Sequence, residues 1–514
     1  MHGRVSNKAA KVMQRRLSRR LDLLDLYEAL TGRGETPDTG LFEAPDGSTL
    51  IMAHAAARAE CRGGAVMLQA LSANGRALLR SLETASAEFV KRRSDDRLDL
   101  LFPEPITLDA EERLLAPAPL HALRALLENA GVRESDEPFQ ALVLGVVAFD
   151  QATFGEDVVE NPEDPTGFPD YIFWVPDSLV VFAPQSPPRL LCTAFADPEH
   201  GAERTANDAV NRLEQLVEVC QQLKAVERTS IKPVPPGDVA VDLSDAEYIA
   251  VVDRMKEHIA AGDVYQIVPS RTFSMHCSAS FPAFAALRSF EPAGYHFFVR
   301  GPDFTLFGAS PETSVRVTGD SIEVKPIAGT RPRGTSDDED SRLEAEMRLD
   351  AKELAEHMML VDLARNDVAR VSEPGTRKVP QLLTVERYSR VMHLVSSVTG
   401  KLAERFDAFD ALAACLNVGT LSGAPKIRAT QILRSTEKTP RGPYGGAIGW
   451  INAAGDMDTS VVIRSALVKN GTAFVRAGAG IVHDSDPEAE ADETRRKASA
   501  LLSILAAADR SKEQ

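Results

Sequence analysis

The chain has 514 residues, with 58 Lys and Arg against 75 Asp and Glu and a formal net charge of −17. This length can bury a large core, in about two to four ordinary domains or one composite domain. The acidic balance argues against a general role in binding nucleic acid or anionic membranes, so the predicted partners are small molecules and proteins.

The cysteines are scattered, odd in number and without C-x-x-C spacing, which is typical of a reducing compartment and argues against a structural zinc site. They are Cys61, Cys192, Cys220, Cys277 and Cys415. No apolar run reaches the roughly 18 residues that a membrane span needs, and no signal peptide is evident. We therefore expect a cytoplasmic protein.

The first segment, residues 1–35, is predicted to be helical. Its first 21 residues are basic and contain no acid, which favours a solvated amphipathic helix over an organelle presequence. A second helical pattern around 21–30 ends in Thr-Gly-Arg-Gly.

Residues 36–240 are predicted to form a β-rich domain. Short apolar runs alternate with turn residues, and both Asp46-Gly47 and Asn74-Gly75 fit hairpin turns. A helix over about 203–225 then leads into a proline-rich linker at 232–237.

A catalytic domain is predicted over residues 245–510. Ser244 and Glu247 form a capping box for its first helix. Strand patterns fill 263–335, a long helical pattern covers 338–371, and a strand-like run follows at 387–402. Asn470-Gly471 predicts a hairpin, so the pattern favours a mixed sheet with flanking helices.

The last helix carries charged residues among leucines. It follows a glycine-rich turn and begins near residue 488, capped by Ser485 or Asp486. Glu490, Glu493 and Lys497 share one face, and that face continues through Leu501 and Ile504. Surface ion pairing is the ordinary explanation of such charges, but a face shared with core leucines favours an inward orientation.

The helical pattern near residue 350 repeats this arrangement. Glu353 and Glu356 share a face with Leu349, Leu360 and Leu363. A buried carboxylate without a partner is costly, and a divalent cation shared by both helices would remove that cost. Carboxylate oxygens without a nearby Cys or His cluster suit Mg²⁺.

An anionic substrate is predicted from the groups near this metal. Arg464 and Lys497 are basic, and the turn at 477–480 can present N–H groups to a carboxylate. Each of these signals is weak alone, because a Gly-Ala-Gly is usually only a tight turn.

Residues 245–505 closely resemble the chorismate-binding enzymes, and among them the large synthase subunit of anthranilate synthase. The motifs are PIAGTRPRG (326–334), ELAEHMMLVDLARND (353–367), RYSRVMHLVSSV (387–398), GTLSGAPK (419–426), YGGAIG (444–449), AGAGIV (477–482) and ADETRRKA (491–498). The resemblance implies an α+β fold, with large mixed or antiparallel sheets packed as a sandwich and helices on the outer faces.

The resemblance also implies roles for individual residues. Glu356 and Glu493 match Mg²⁺ ligands, and Glu353 and Glu490 match residues that act through water. Positions that contact chorismate are matched by Gly329, Thr330, Tyr444, Arg464, Gly478, Ala479, Gly480 and Lys497. Catalytic positions are matched by Glu312, His393, Thr420, Gln266 and Lys497.

The implied chemistry is consistent with these residue types. Mg²⁺ would withdraw electrons through the ring carboxylate, ammonia would add at C2, and Glu312 would protonate the departing 4-hydroxyl. Such an acid needs a raised pKa, which burial supplies. The histidine is associated with the later elimination of pyruvate.

The predicted nucleophile follows from two lysines that some relatives carry and this chain lacks. Relatives that add water carry a lysine where this chain has Gln266, and relatives that make aminodeoxychorismate carry one in place of Ala328. Ammonia is what remains. No Cys has a nucleophile setting, so a separate glutamine amidotransferase subunit is implied. A hetero-oligomer is expected, with a homodimer of the synthase chain as the alternative.

The chain departs from its relatives at the tryptophan pocket of feedback-regulated members. Those carry LLES and NPSPYMFF, where this chain has LFEA (41–44) and EPAGYHFF (291–298). The diverged pocket comprises Glu43, Ala44, Pro292, Gly294, Tyr295 and His296. A missing hydroxyl and an imidazole in place of a thioether remove a hydrogen bond and packing for tryptophan, which predicts reduced feedback inhibition.

Two other functions stay open. The divergence suits specialised metabolism, in which relatives stop at 2-amino-2-deoxyisochorismate, although His393 and Thr420 favour the complete reaction. A non-catalytic regulator that binds chorismate is the other, and the acid at Glu312 argues against it.

Overall fold

A computed structural model of the chain describes residues 10–105, 110–130, 137–154, 156, 158, 164–197, 202–226, 228, 231–388 and 391–513. The helices are α1 (Leu23–Leu30), α2 (Ala73–Ala85), α3 (Ala110–Leu115), α4 (His121–Glu128), α5 (Glu203–Gln222), α6 (Asp245–Ala260), α7 (Ser280–Phe290), α8 (Asp337–Leu349), α9 (Ala351–Ala369), α10 (Ala408–Cys415), α11 (Lys426–Thr436) and α12 (Pro487–Glu513).

The strands are β1 (Lys11–Arg16), β2 (Thr39–Glu43), β3 (Thr49–Arg62), β4 (Ala65–Ala70), β5 (Val90–Arg93), β6 (Arg97–Leu101), β7 (Leu142–Val147), β8 (Tyr171–Phe182), β9 (Arg189–Ala194), β10 (Ala240–Val241), β11 (Gln266–Ile267), β12 (Ser270–His276), β13 (Tyr295–Arg300), β14 (Thr305–Ser310), β15 (Thr313–Thr318), β16 (Ser321–Val324), β17 (Ile327–Pro332), β18 (Lys378–Arg387), β19 (Val391–Lys401), β20 (Gly423–Ala424), β21 (Ala447–Asn452), β22 (Met457–Val461), β23 (Ser465–Lys469) and β24 (Thr472–Gly478).

The strands pair antiparallel throughout the part of the chain described here. From β10 the order runs β12, β24, β23, β14, β13, β2, β3, β8, β7, β21, β22, β15, β16 and β19, and β17 and β18 also pair with β19. Helices α6, α7 and α12 pack together beside β24 and β14, and α9 packs on β17 and β19. The predicted α+β class is confirmed, in its antiparallel form.

Strands from both halves of the chain pair with each other. β2 pairs with β13 and β7 pairs with β21, so the segments predicted at 36–240 and 245–510 share hydrogen-bonded strands. The boundaries of those segments stay a prediction. Because the candidate site lies on strands of the second segment, the first segment supports it from neighbouring strands of the same sheet.

The N-terminal segment differs from its prediction. Lys11–Arg16 forms an edge strand paired with β9, not an amphipathic helix. Charged side chains on an edge strand discourage pairing with other molecules, and basic residues therefore suit a strand here. The second predicted helix is confirmed as α1, capped by Asp22. Residues 1–9 lie outside the described part of the chain.

Asn74-Gly75 was predicted to be a hairpin turn, and this prediction is wrong. Both residues lie in the first turn of α2, where the Ser72 hydroxyl accepts a hydrogen bond from the Gly75 N–H. A Cβ on Gly75 would lie 1.9 Å from the Ala56 carbonyl oxygen. The glycine therefore serves the close packing of α2 on β3.

The long helical pattern at 338–371 is two helices. Asp350 adopts an extended conformation between α8 and α9. Leu349 ends α8 with 81% of its surface exposed, so it does not share a buried face with Glu353 and Glu356. Leu360 is buried on α9, as the pattern predicts.

Several local predictions are confirmed. α6 begins with the Ser244 and Glu247 capping box. β23 and β24 form a hairpin around Asn470 and Gly471, both of which have positive φ. Asp46-Gly47 connects β2 with β3. None of the helices traced in the described ranges has the length and apolarity that crossing a membrane requires.

Candidate active site

Glu312 lies in the short connection between β14 and β15, with only 6% of its surface exposed. The Thr420 hydroxyl donates a 2.7 Å hydrogen bond to its Oε1. Burial raises the pKa of Glu312 to about 7, and the Thr420 hydrogen bond and the Lys497 charge lower it only in part. A carboxyl that titrates near neutrality can hold a proton and deliver it.

His393 lies opposite Thr330 in the pairing of β19 with β17. Its Nδ1 is 3.0 Å from Thr330 Oγ1 and 3.4 Å from the Gly329 carbonyl oxygen. Burial lowers the pKa of His393, and the Arg464 charge lowers it further. The imidazole is therefore neutral near neutral pH. Because a carbonyl oxygen only accepts, the contact with Gly329 favours a proton on Nδ1 and leaves Nε2 as the basic nitrogen.

Lys497 connects α12 to the end of β24. Its Nζ donates to the Gly478 carbonyl at 2.9 Å and pairs with Glu493 Oε1 at 2.6 Å. Arg464 donates to the Lys497 carbonyl at 3.4 Å. A Cβ on Gly478 would lie 3.2 Å from the Tyr444 hydroxyl, so the absence of a side chain lets the tyrosine approach the turn.

The electrostatic contacts join these groups into one centre. The Lys497 charge acts on Glu312, and the Arg464 charge acts on both His393 and Tyr444. Burial raises the pKa of Tyr444, so its hydroxyl stays protonated and can donate. The arrangement combines an acid that is partly protonated near neutral pH, a neutral imidazole and two cations, which suits an anionic substrate that loses a hydroxyl group.

The glycine-rich turn differs from its prediction in one respect. The Ala479 N–H donates to the Pro269 carbonyl at 3.3 Å, so this N–H is not free for a carboxylate. A Cβ on Gly480 would lie 2.8 Å from Gln266 Nε2, so a side chain there would displace the end of Gln266. The buried Gln266 Oε1 has no donor among the described protein groups, which leaves an acceptor beside the turn.

The four predicted metal-site glutamates lie on α9 and α12. Glu353 accepts a 3.1 Å hydrogen bond from Arg331, and a Cβ on Gly329 would lie 3.1 Å from its Oε2. Glu356 is half-buried one turn further along α9. On α12, Glu490 is buried and Glu493 is paired with Lys497.

Within the described ranges, no group of three or more His, Cys, Asp or Glu side chains is arranged to hold a metal ion. The meeting of Glu356 and Glu493 at one ion therefore stays a prediction. Their chemistry fits Mg²⁺, because each helix offers carboxylate oxygens and Mg²⁺ binds through one or two carboxylates plus water and substrate.

The residues predicted to form a diverged tryptophan pocket make contacts within the chain. Arg288 donates to both oxygens of Glu43, at 2.6 and 2.8 Å. His296 lies opposite Glu43 in the β13–β2 pairing, and its Nε2 is 2.9 Å from the Glu291 carbonyl oxygen. Burial lowers the pKa of His296, so the ring is neutral. A Cβ on Gly294 would lie 3.3 Å from Pro45.

The other members of this pocket lie nearby in sequence. Ala44 is buried at the end of β2, and Pro292 is exposed. The Tyr295 hydroxyl donates to Asp458 at 2.8 Å and is 3.0 Å from Thr313 Oγ1. The polar groups of Glu43, Tyr295 and His296 are thus hydrogen-bonded within the chain.

Sequence reasoning missed the charged residues behind the site. Arg441 and Glu437 are buried and paired with each other, and Arg476 pairs with the same carboxylate. Their spacing, four residues apart in a polar stretch, is also that of an ordinary surface pair. Only the adjoining YGGAIG motif pointed to this segment.

Comparison with known proteins gives the class. The chorismate binding enzyme model matches residues 92–503. Anthranilate synthase component 1, pyocyanine specific, from Pseudomonas aeruginosa is 48% identical over 88% of this chain and 86% of its own. Anthranilate synthase component 1 from Escherichia coli is 42% identical over 93% and 94%. The chain belongs to the family of chorismate-binding enzymes.

Solved structures agree. Anthranilate synthase component I from Streptococcus pneumoniae superimposes with a TM-score of 0.70 at 30% identity, covering 88% of this chain and 92% of that one. The menaquinone-specific isochorismate synthase of Escherichia coli has the same fold, with a TM-score of 0.67 at 19% identity over 97% and 95%. The family recognised from the motifs is thus confirmed, and within it the chain is an enzyme similar to anthranilate synthase component 1.

Proposed function

We propose that the chain catalyses the Mg²⁺-dependent conversion of chorismate and ammonia to anthranilate, pyruvate and water. The observation that carries this proposal is Glu312, a buried carboxyl whose pKa is raised to about 7 beside a single hydroxyl donor. Relatives that are 48% and 42% identical bear the name anthranilate synthase component 1, which supports the same reaction.

The chain's own residues supply proton transfer and anion binding. Glu312 donates a proton to the 4-hydroxyl of chorismate, which leaves as water while ammonia adds at C2. Arg464 and Lys497 offset the carboxylate charges, and the Tyr444 hydroxyl donates a hydrogen bond. The imidazole of His393 is neutral and its Nε2 carries no proton. This nitrogen accepts the C2 proton as the enolpyruvyl group leaves as pyruvate and the ring becomes aromatic. Thr330 and Gly329 hold that imidazole.

Glu356 and Glu493 would hold Mg²⁺, with Glu353 and Glu490 acting through water. When bound, the ion polarises the ring carboxylate and favours loss of the hydroxyl. Lys497 lies 2.6 Å from Glu493 and would therefore be close to the ion.

Ammonia would come from a glutamine amidotransferase subunit. The relatives are named as a component 1, which implies a second component. A hetero-oligomer with that subunit is the proposed assembly.

We further propose weak inhibition by tryptophan. Arg288 already occupies both oxygens of Glu43, and Ala44 lacks the hydroxyl of regulated relatives. The name of one relative, pyocyanine specific, agrees with a role in specialised metabolism. Adding tryptophan to a turnover assay tests this, and half-inhibition at micromolar tryptophan would contradict it.

Product analysis tests the function itself. The purified chain is given chorismate, Mg²⁺ and an ammonium salt, and the product is identified by mass and fluorescence. A fluorescent aromatic acid together with pyruvate supports the proposal. A product that keeps the enolpyruvyl group would identify a 2-amino-2-deoxyisochorismate synthase, and binding without turnover would identify a regulator.

A further inference from the structure

Arg441 lies in the connection between α11 and β21, and 1% of its side chain is exposed. Its guanidinium donates to both oxygens of Glu437, at 2.9 and 2.7 Å. It also donates to the Leu421 carbonyl at 2.5 Å and to the Val268 carbonyl at 2.6 Å. One side chain therefore connects three separate segments of the catalytic region.

Two of these segments carry residues of the candidate active site. Leu421 directly follows Thr420, whose hydroxyl donates to Glu312. On the other side, the Tyr444 N–H donates to the Arg441 carbonyl at 3.3 Å, and the Arg441 guanidinium lies 6.0 Å from the Tyr444 ring centre. Arg441 thus contacts the backbone next to Thr420, which donates to Glu312, and the backbone of Tyr444, which is predicted to contact the substrate.

Glu437 extends these contacts to the glycine-rich turn. Its carboxylate accepts from the Ser270 N–H at 2.9 Å and from Arg476 at 2.9 Å, and Arg476 donates to the Ser270 hydroxyl at 2.8 Å. Ser270 pairs with Gly478 between β12 and β24. The same carboxylate therefore fixes the strand pair from which the turn begins.

The cluster of Glu437, Arg441 and Arg476 is ionised although it is buried. Burial raises the pKa of Glu437, but the two guanidinium groups outweigh burial and hold that pKa below its usual range. Two cations and one anion leave a formal charge of +1 behind Tyr444. The neighbouring Asp150 pairs with Arg434, and its charge also acts on Arg441 and Arg476. The Arg441 and Arg476 charges also act on Tyr444, and positive charge behind that ring favours an anionic substrate in front of it.

We infer that Arg441 is a positioning residue of the active site, which holds the Thr420 and Tyr444 segments in place from behind the substrate. This inference rests on the proposed function. It assigns to Arg441 no contact with the substrate, and it predicts effects on both the acid and substrate binding.

The test uses Arg441→Lys in the full chain, with chorismate, Mg²⁺ and ammonium. Lysine keeps the charge but cannot reach Glu437, Leu421 and Val268 together. We expect kcat to fall and the KM for chorismate to rise, each by about tenfold, because small displacements of catalytic groups are costly. Arg58→Lys is the matched control, since Arg58 has only 13% of its side chain exposed and is also paired with two acids, but lies on β3 and not in the segments that Arg441 connects. It should lower the unfolding temperature and leave kcat and KM unchanged.

A double-mutant cycle separates positioning from general stability. If Arg441 acts through the Thr420 segment, then Arg441→Lys should reduce kcat much less in a Thr420→Val background than in the wild type. Fully multiplicative effects, or a folded Arg441→Lys variant with wild-type kcat and KM, would overturn the inference.

A second variant tests the same inference in case Arg441→Lys does not fold. The double variant Glu437→Gln with Arg441→Met removes one negative and one positive charge, so the cluster keeps its formal charge of +1. Because the charge is unchanged, a rise in the KM for chorismate would reflect lost positioning. Failure of both variants to fold would assign Arg441 to the stability of the whole fold and overturn the inference. Absence of turnover in the wild type would instead contradict the proposed function.

Discussion

Glu312 and Glu437 are equally buried, each with 6% of its surface exposed, yet burial has opposite outcomes at the two positions. Glu312 receives one hydroxyl hydrogen bond, and its pKa rises to about 7. Glu437 receives hydrogen bonds from two guanidinium groups and from Ser270, and its pKa is lowered. At Glu312 burial outweighs one hydroxyl hydrogen bond and the Lys497 charge, so the carboxyl holds its proton to higher pH. At Glu437 two paired guanidinium groups outweigh burial and keep the carboxylate ionised.

The largest expected effect is on catalysis at the first carboxyl. Glu312→Gln removes the proton donor and keeps the shape, so kcat should fall by about 10²- to 10⁴-fold, the usual contribution of a general acid. Steady-state kinetics with ammonium measures this, and chorismate binding should persist. A kcat within a few-fold of wild type would remove Glu312 from its proposed role.

The second carboxyl should respond in stability. Glu437→Gln leaves two buried guanidinium groups without their anion, and breaking a buried ion pair costs about 3–5 kcal/mol. Denaturant unfolding measures the loss. Glu386→Gln, which removes a half-exposed partner of Lys325, is the matched control and should cost far less. Equal losses of unfolding free energy in the two variants would show that the buried cluster stabilises the fold no more than an exposed ion pair does.

Glu312→Gln should also stabilise the chain at alkaline pH. The pKa of Glu312 is raised in the folded state from 4.5 to about 7, so its contribution to stability is fully present below 4.5 and is lost as pH rises through about 7. Above that pH the wild type bears a buried anion, and the variant should be more stable by about 2–3 kcal/mol. Unfolding measured near pH 5 and pH 8 checks the sign, because the difference should shrink at the lower pH.

Thr420→Val should shift the pH dependence of turnover. Glu312 must be protonated to act, so kcat is expected to fall as pH rises through about 7. Removing the hydroxyl donor destabilises the carboxylate, so the alkaline limb should move up by about one pH unit. The Lys497 charge, which also lowers the pKa of Glu312, is unchanged in this variant. Thr420→Ser keeps the donor and should retain the wild-type limb, and a limb that stays in place in both variants would exclude this contact.

The smallest effect is expected at a third carboxylate, Glu43, which is held by one guanidinium. Arg288→Leu removes a partly exposed pair and should cost about 1 kcal/mol or less. The side chain of Arg288 donates to Glu43 and not to Glu312 or Thr420, so kcat should not change. Thermal unfolding and kinetics on the same preparation check both statements, and a clear loss of kcat would connect the pocket to catalysis.

Local signals in the sequence predicted much of the fold. The capping box at Ser244, the hairpin at Asn470 and the helix after Asp486 follow from rules that act within about four residues. Asn74-Gly75 obeyed the same rules and still gave a wrong prediction, because the contact that decides Gly75 is with Ala56 on another strand. The strand at Lys11–Arg16 likewise depends on β9, which is distant in sequence.

The sequence by itself determined the family, through its long motifs, and with it the identity of Glu312, His393 and Thr420 as candidates. Only the tertiary structure decided what those groups can do, since Glu312 and Thr420 are 108 residues apart and Arg441 meets Leu421 and Val268 across the fold. A pKa depends on burial and on nearby charges, and both are set by residues that are distant in sequence and come together only in the folded chain.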